Sequence, residues 1–249
     1  MSLTPLGIEH ATLRAWPARE TEERDGWFHL AAAGVTGRVN ACWPLSWRGG
    51  DIDTAIDGVE AWYAARGLAP RFKLTDGAFA PADLPITLAR RGYASTMHTL
   101  IMTLSLARPG VAKLLDGVIL SDHMPPAFDQ ALRQSTPDVD ELEERRAIAL
   151  RAPAPAAFAV RGDENGPLAV GMSAVAGELA GIFLMRTAPI ARQQGHAQQI
   201  LRALLAWASG HGAVNAFLQV DADNEPAVAL YEREGFETLT SYCFWRRAH

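Results

Sequence analysis

One stretch, residues 178–210, constrains the fold of this chain more than any other. It opens with Leu179–Thr187, which is apolar as far as Met185 and predicts a buried strand. A turn at residues 188–191 follows, and then the segment Arg192-Gln193-Gln194-Gly195-His196-Ala197. Apolar residues recur with helical spacing from about residue 198 to residue 209. The stretch therefore predicts a strand, a loop of small and polar residues, and a helix.

A loop of this kind, placed before a helix start, suits an anion. The first amide N–H groups of an α-helix have no partner within the helix, and the helix dipole adds partial positive charge there. Gly195 and Ala197 carry almost no side chain, and Arg192 adds a fixed charge. The spacing Arg-x-x-Gly-x-Ala matches neither the P-loop nor the dinucleotide fingerprint Gly-x-Gly-x-x-Gly. The stretch predicts a different phosphate-binding loop, with an ordinary strand–turn–helix connection as the alternative.

A second pattern follows one strand later in the chain. Residues 214–220 predict a strand, and Asn224 is a typical N-cap for a helix that ends at Gly235. This helix carries Tyr231, and a last strand is predicted over residues 236–245.

Together the two patterns resemble those of the GNAT superfamily, the acyl-CoA-dependent N-acyltransferases. The loop is similar to the family's pyrophosphate loop, Gln/Arg-x-x-Gly-x-Gly/Ala, and Thr187-Ala188-Pro189 stands where the family has a Val-x-Pro strand end. The second pattern is similar to the signature Asn-x-x-Ala-x-x-Leu-Tyr-x-x-x-Gly-Phe, which falls on Asn224, Ala227, Leu230, Tyr231, Gly235 and Phe236. The resemblance implies an α/β fold with a mixed central sheet flanked by helices.

The resemblance also implies a site for acetyl-CoA. The implied cofactor-binding residues are Met185, Thr187, Arg192, Gln193, Gln194, Gly195, His196, Ala197 and Asn224. Met185 and Thr187 lie where the family's strand splays from its neighbour and exposes backbone groups, with plain strand pairing as the alternative. Asn224 either binds the cofactor or caps its helix. His196 is expected to act through its backbone N–H and not as a base.

Tyr231 is the implied catalytic residue. A phenol with an ordinary pKa of about 10 keeps its proton at neutral pH, so it can donate that proton to a departing thiolate. The alternative is a core aromatic whose hydroxyl is hydrogen-bonded. The general base stays open, because the strand before the loop carries no carboxylate. Glu178, Asp221 and Asp223 are alternatives, as are a water relay and an amine that arrives neutral.

The first half of the chain repeats the element order of the second. Gly67 and Gly92 close its two helices as Gly210 and Gly235 close those of the second half, and each pair is 25 residues apart. This repeat resembles tandem GNAT proteins, with coincidence between two α/β segments as the alternative. We expect two GNAT-like halves, residues 1–107 and 111–249, with a linker at residues 108–110.

The first half is expected to be degenerate and to lack a cofactor site. Its corresponding loop carries Asp51 and Asp53 at the helix start, where two carboxylates repel a pyrophosphate. When the closing glycines are aligned, Leu88 stands at the position of Tyr231 and Pro81 at that of Asn224.

Composition excludes several other classes of function. The net charge is −5 without a run of Lys or Arg, which argues against nucleic acid or an anionic membrane as partner. No apolar stretch is long enough to cross a bilayer, and the N-terminus has no signal-peptide pattern, so a cytoplasmic location is expected. Two cysteines and scattered histidines predict no metal.

The sequence thus predicts an acetyl-CoA-dependent N-acetyltransferase that acts on a primary amine of a small molecule or peptide, through a direct ternary complex. The alternative is a GNAT scaffold that senses acyl-CoA without turnover. Exposed strand edges leave room for a homodimer. Three local expectations accompany this prediction: a turn at residues 17–24, a solvated helix face at residues 141–146 with a basic substrate as its alternative partner, and Trp43 near the acceptor.

Overall fold

The computed structural model describes residues 3–107 and 117–247. Seven α-helices lie in these ranges: α1 Pro5–Ala15, α2 Ile52–Ala64, α3 Leu84–Arg90, α4 Pro126–Ser135, α5 Val139–Arg151, α6 His196–Gly210 and α7 Glu225–Arg233. The strands there are β1 Glu20–Arg24, β2 Trp27–Ala31, β3 Cys42–Pro44, β4 Arg71–Thr75, β5 Tyr93–Ser105, β6 Ile119–Ser121, β7 Ala156–Asp163, β8 Gly166–Ala176, β9 Leu179–Thr187, β10 Asn215–Asp221 and β11 Glu237–Arg247.

All these strands form one mixed sheet in the order β1-β2-β3-β4-β11-β5-β10-β9-β8-β7-β6. Two neighbouring pairs, β3 with β4 and β9 with β10, are parallel, and the other pairs are antiparallel. The succession β1-β2-β3-α2-β4-α3-β5 recurs in the second half as β7-β8-β9-α6-β10-α7-β11. The predicted mixed α/β class is confirmed.

The two halves exchange their last strands. β5, the last strand of the first half, lies between β10 and β11 of the second half. β11, the last strand of the second half, lies between β5 and β4 of the first half. Each last strand therefore pairs with strands of the other half. The sheet therefore runs without a break through both halves. The division at residues 107 and 111 remains a prediction, and the predicted linker at residues 108–110 lies outside the described residues.

Helices cover both halves of the sheet through three apolar clusters. α1 crosses from the first half to pack on β8 and β9 of the second. Its C-cap residue Trp16 stacks on Phe183 of β9, with ring centroids 4.8 Å apart. A stacked aromatic pair of this kind adds about 0.5–1.5 kcal/mol to the burial of its surface. This packing fixes the first half against the strand that precedes the predicted phosphate loop.

A buried ion pair lies beneath α1. Lys73 and Glu9 are almost fully buried, and Lys73 Nζ donates to both carboxylate oxygens at 2.5 Å. The same ammonium lies 3.8 Å from the ring centroid of Trp43 and 4.1 Å from that of Tyr242. Burial lowers the pKa of Lys73 to about 8, against the opposing effect of Glu9. Trp43 is thus a core residue, and the expectation that it borders the acceptor is wrong.

Glu144 departs from the expectation of a solvated helix face. Its side chain is buried and accepts hydrogen bonds from the amides of Ala33 and Thr36 and from Asn40 Nδ2. Burial acts to raise the pKa of Glu144, but these hydrogen bonds hold it below its ordinary value. The expectation is therefore wrong for this residue. The same bonds tie α5 to the loop at residues 32–41, between β2 and β3.

The expected turn at residues 17–24 is also wrong in part, because Glu20–Arg24 forms β1. This strand pairs with β2 only and lies at the edge of the sheet. Edge strands of natural sheets often carry charged side chains, which discourage pairing with other chains. Because of these charges, the sequence of β1 lacks the apolar alternation by which strands are usually predicted.

Candidate functional site

A cleft of about 1160 Å³ opens where β9 ends and where α6 and α7 begin. Nine of the ten residues predicted for the site line it: Met185, Thr187, Arg192, Gln193, Gly195, His196, Ala197, Asn224 and Tyr231. Gln194 is the exception, because its side-chain amide donates to the carbonyl of Ile190 at 2.9 Å. The fold therefore brings the two sequence patterns to one place.

One wall of the cleft is a splay between β9 and β10. These parallel strands pair from Leu179 to Ile182 of β9 and then separate. Beyond that point β9 continues against β8 alone, and its register shifts where Leu184 has a left-handed φ of 51°. Such a bulge re-aims the strand and leaves its backbone groups on the β10 side without a strand partner.

Gly171 of β8 lies opposite the bulge. A Cβ atom at this position would lie 2.5 Å from Met185 Sδ and 2.8 Å from Ile200 Cγ2. The absence of a side chain at residue 171 therefore leaves room for the side chain of Met185, a predicted site residue.

The start of α6 forms the floor of the cleft. Gly195 is the N-cap in the left-handed conformation, with φ 81°, and no side chain caps the helix. An added Cβ at Gly195 would meet nothing within 4 Å. The first-turn amides, including those of His196 and Ala197, therefore face open space without an intrahelical partner. His196 Nδ1 accepts a hydrogen bond from Arg161 Nε at 3.0 Å.

The cleft is positively charged. Arg186, Arg192 and Arg233 line it, and none of its lining residues within 3–107 and 117–247 is Asp or Glu. Among the alternatives for a base, Glu178 precedes β9 at the opposite end from Thr187, about 30 Å away by strand length. Asp221 accepts from the amide of Asp223 at 3.1 Å, and neither residue lines the cleft. The base therefore stays unassigned.

Tyr231 projects from α7 into this charged cleft. It is 7% exposed, and its ring contacts that of Phe236. Burial raises the pKa of Tyr231 to about 12, and the nearby Arg186 guanidinium acts in the opposite direction. In the part of the chain that the structure describes, its hydroxyl has no hydrogen-bond partner. The alternative of a hydrogen-bonded core tyrosine does not fit this geometry.

Asn224 both caps a helix and lines the cleft. Its Oδ1 accepts from the amide of Ala227 at 3.4 Å, at the start of α7. This is a long bond, so the side chain has room to contribute to a ligand as well.

Arg186 is a site residue that the sequence patterns do not identify. Its Nη1 donates to the carbonyl of Met185 at 2.9 Å. Burial lowers the pKa of Arg186, as does Arg145, while Glu141 and Tyr231 oppose that change. The sequence feature that could have identified Arg186 as a site residue is its position as an arginine near the end of an otherwise apolar strand. Gln134 and Ser135, at the end of α4, also line the cleft and carry no such signal.

The described residues contain neither a membrane-spanning helix nor a cluster of metal ligands. Among residues 3–107 and 117–247, no helix combines the length and apolar character needed to cross a membrane. Nor do three or more His, Cys, Asp or Glu side chains group as metal ligands anywhere in those ranges.

Comparison with known proteins finds relatives along almost the whole chain. The family model described as "Probable histone acetyltransferase Rv0428c C-terminal" matches residues 7–244. The "Uncharacterized N-acetyltransferase YobR" of Bacillus subtilis is 26% identical over 241 residues, which are 94% of this chain and 95% of that protein. The "Probable histone acetyltransferase Rv0428c" of Mycobacterium tuberculosis is 30% identical over 247 residues, 95% of this chain and 71% of that protein.

Solved structures show the same fold. A "GCN5-related N-acetyltransferase from Kribbella flavida" superposes with a TM-score of 0.72 at 16% identity, covering 100% of this chain and 97% of that one. A "Tandem GNAT protein from the clavulanic acid biosynthesis pathway (without AcCoA)" superposes with a TM-score of 0.57, also at 16% identity, over 82% of this chain and 74% of its own.

Proposed function

We infer the function from one premise: the chain belongs to the family described as "Probable histone acetyltransferase Rv0428c C-terminal", and so to the GNAT acetyltransferases. We propose that it transfers the acetyl group of acetyl-CoA to the primary amine of a small molecule or peptide, within a direct ternary complex. The observation that supports this proposal is that the strand splay, the uncapped start of α6 and Tyr231 share one cleft.

The residues of the cleft fit a pyrophosphate and its pantetheine arm. The first-turn amides of α6 and the side chain of Arg192 would hold the phosphates, since both supply positive charge to open space. The unpaired backbone of β9 at Met185 and Thr187 would hold the arm. Bound there, acetyl-CoA supplies an activated thioester.

Tyr231 would supply the proton that a leaving thiolate needs. Its raised pKa keeps the phenol neutral through the physiological range, and its hydroxyl is not committed to another residue of the described chain. Arg186 would favour the charge that develops beside it. No cysteine lines the cleft, which fits transfer without a covalent enzyme intermediate.

We further propose that the cofactor site belongs to the second half, residues 111–249, and that the first half, residues 1–107, is a degenerate scaffold. The supporting observations are the side-chain cap that Asp51 places on α2 and the burial of Leu88.

A non-catalytic acyl-CoA sensor is the second candidate. The observation in its favour is that the cleft contains no carboxylate to act as base. A sensor and an enzyme both bind acetyl-CoA, and only the enzyme releases free thiol when an amine is added.

The test is a thiol-release assay with acetyl-CoA and a panel of primary amines that includes amino acids, polyamines and lysine peptides. We expect at least one amine to raise thiol release above the amine-free rate. Saturable acetyl-CoA binding without amine-dependent release across the panel would favour the sensor. Absence of acetyl-CoA binding would contradict both candidates.

A further inference from the structure

Arg186 lies on the face of the sheet opposite α6. In the register of β8 with β9 it stands opposite Val170, and directly opposed residues of two paired strands share a face. Val170 belongs to the apolar cluster that contains Phe128 of α4, whereas Met185 packs on the cluster that contains α6. Arg186 is therefore on the α4 side of β9, away from the helix start that would hold the phosphates.

The part of the cleft beside Arg186 is formed by the ends of α4 and β9 and by α7. Gln134 and Ser135 line it from α4, and Tyr231 lines it from α7. The charge of Arg186 acts on the pKa of Tyr231, so these two groups are neighbours. With the phosphates at the start of α6, this is the part that remains for the acceptor. An acceptor whose amine reaches the thioester beside Tyr231 would lie next to Arg186.

The guanidinium of Arg186 is only partly used by the protein itself. Its Nη1 donates to the carbonyl of Met185 at 2.9 Å. Within the described ranges, its Nε and Nη2 donate no hydrogen bond, and neither nitrogen is sealed from solvent. These two nitrogens form one edge of the guanidinium plane, the geometry that binds a carboxylate through two parallel hydrogen bonds. The free edge of Arg186 is thus accessible from the cleft that it lines.

The carboxylate that acts on Arg186 is already paired. Glu141 accepts from Arg145 Nε at 2.7 Å, and both residues belong to α5 and do not line the cleft. Arg145 lowers the pKa of Arg186 more than Glu141 raises it. Within residues 3–107 and 117–247, Arg186 forms no ion pair. A half-buried arginine in this position favours an anionic ligand and disfavours a cationic one such as a polyamine.

We propose that the acceptor carries a carboxylate beside its amine, as a small free amino acid does, and that Arg186 is the specificity-determining residue that binds this carboxylate. The proposal rests on the acetyltransferase function proposed above and names the class of acceptor for the same cleft. Because Arg186 and Tyr231 are neighbours, only a few bonds separate the carboxylate from the amine. An amine without an anionic group would leave the free edge of Arg186 unpaired in the ternary complex, which is costly.

The test compares acids with their carboxamides as acceptors. Three matched pairs vary the spacing between the two groups: glycine with glycinamide, β-alanine with β-alaninamide, and γ-aminobutyrate with γ-aminobutyramide. A carboxylate raises the pKa of a nearby amine, so at a fixed pH the amide has the larger neutral fraction. A preference for the acid therefore cannot come from ionisation of the amine. We expect kcat/KM for at least one acid to exceed that for its amide about tenfold or more, the usual effect of charge-assisted hydrogen bonds.

Variants assign this preference to Arg186. Its loss also removes a charge beside Tyr231 and lowers kcat for every acceptor, so the readout is the ratio of kcat/KM for an acid to that for its amide. This ratio should fall to about one in Arg186→Gln and be partly kept in Arg186→Lys, which retains the charge but not the two parallel bonds. Arg192→Gln is the matched control in the phosphate part of the cleft. It should weaken acetyl-CoA binding and leave the ratio unchanged.

Calorimetry separates this proposal from the proposed function. The same acids and amides are titrated into the full chain saturated with CoA, which lacks the acetyl group and permits binding without turnover. Tighter binding of an acid than of its amide, lost in Arg186→Gln, supports the carboxylate site. If thiol release then stays at the amine-free rate, that result contradicts only the transferase function.

Three outcomes would overturn the proposal. The first is amine-dependent thiol release at equal rates for acids and amides, which keeps the transferase function. The second is a loss of acetyl-CoA affinity in Arg186→Gln with an unchanged ratio, because Arg186 would then bind the cofactor. The third is the absence of any preference for an acid in both the kinetic and the calorimetric measurements.

Discussion

The two halves of this chain build the same strand–loop–helix unit and finish it differently. At the start of α2, Asp51 accepts hydrogen bonds from the amide and hydroxyl of Thr54, at 2.8 and 2.7 Å. At the start of α6, Gly195 has no side chain to do this, and the amides face a cleft. The side chain of Asp51 caps the first helix start, while no side chain caps the second. We propose that this difference at the N-cap separates a structural helix from a binding site.

The same contrast holds at the next helix. Leu88 of α3 is fully buried, whereas Tyr231 of α7, at the position aligned with it by the closing glycines, lines the cleft, and its hydroxyl has no hydrogen-bond partner among the described residues. The strongest polar cluster of the first half, Lys73 with Glu9, lies inside the core. Lys73 and Glu9 thus contribute to the scaffold of the first half, whereas Tyr231 of the second half lines the cleft.

The largest effect is expected at Tyr231. Tyr231→Phe removes the proton donor, so we expect kcat to fall by about 10²–10⁴-fold, the usual size of general acid catalysis. The dissociation constant for acetyl-CoA should stay within about twofold, because the ring remains in place. Steady-state kinetics and calorimetry on the same preparations measure both quantities. An unchanged kcat would mean that Tyr231 is a core aromatic residue and not the proton donor.

The pH dependence sharpens this prediction. An ordinary tyrosine is half ionised at pH 10.0, but the pKa of Tyr231 is raised to about 12. Because a general acid must be protonated, activity falls only as the pH rises towards that value. We therefore expect kcat to hold through pH 10.0 over the range where the protein stays folded. A loss of kcat centred below that pH, present in the parent and absent in Tyr231→Phe, would contradict the assignment.

The next largest effect concerns the scaffold. Lys73→Met leaves the Glu9 carboxylate buried without its partner, which typically destabilises a protein by about 3–5 kcal/mol. Chemical denaturation should show this loss, while the affinity of the remaining folded protein for acetyl-CoA stays unchanged. The matched double variant Glu9→Gln with Lys73→Met is expected to recover part of the stability. A specific loss of acetyl-CoA affinity would show that the first half does more than support the second.

The smallest effect is expected at the two helix caps. Asp51→Ala removes the cap of α2 and should cost about 1 kcal/mol of stability, with no change in acetyl-CoA affinity. Asn224→Ala is the matched variant in the second half. Its capping bond is longer, so its stability loss should be smaller, and its acetyl-CoA affinity should fall because Asn224 lines the cleft. Equal changes in stability and in acetyl-CoA affinity for the two variants would contradict the proposed difference between the halves.

Local patterns predicted much of this molecule. The strand Leu179–Thr187 matches its prediction because an apolar run ends there at a charged residue and a proline. The predicted start of α6 was two residues late, since apolar periodicity begins only at Ile200 and the left-handed Gly195 acts as N-cap. Long-range features were not predictable in this way. The alternation within β5 indicates a strand, but it does not say that β10 and β11 are its neighbours.

Individual side chains show the same limit. Glu144 looks like its solvated neighbours in the sequence, and only the loop after β2 reveals its buried role. The position of Arg186 beside Tyr231 likewise depends on elements distant in the chain. The sequence shows which residues are charged, whereas the tertiary fold decides which partner each charged side chain meets.

The most direct test of the account is calorimetric titration of the intact chain with acetyl-CoA, alongside Gly195→Glu and Gly195→Ala. The alanine variant carries only the cost of a left-handed side chain, about 1–2 kcal/mol, and the glutamate variant adds a negative charge where the phosphates belong. We predict one site per chain, weakened by alanine and lost with glutamate. Two sites, or equal binding by the parent and Gly195→Glu, would contradict the distinction between the two helix starts.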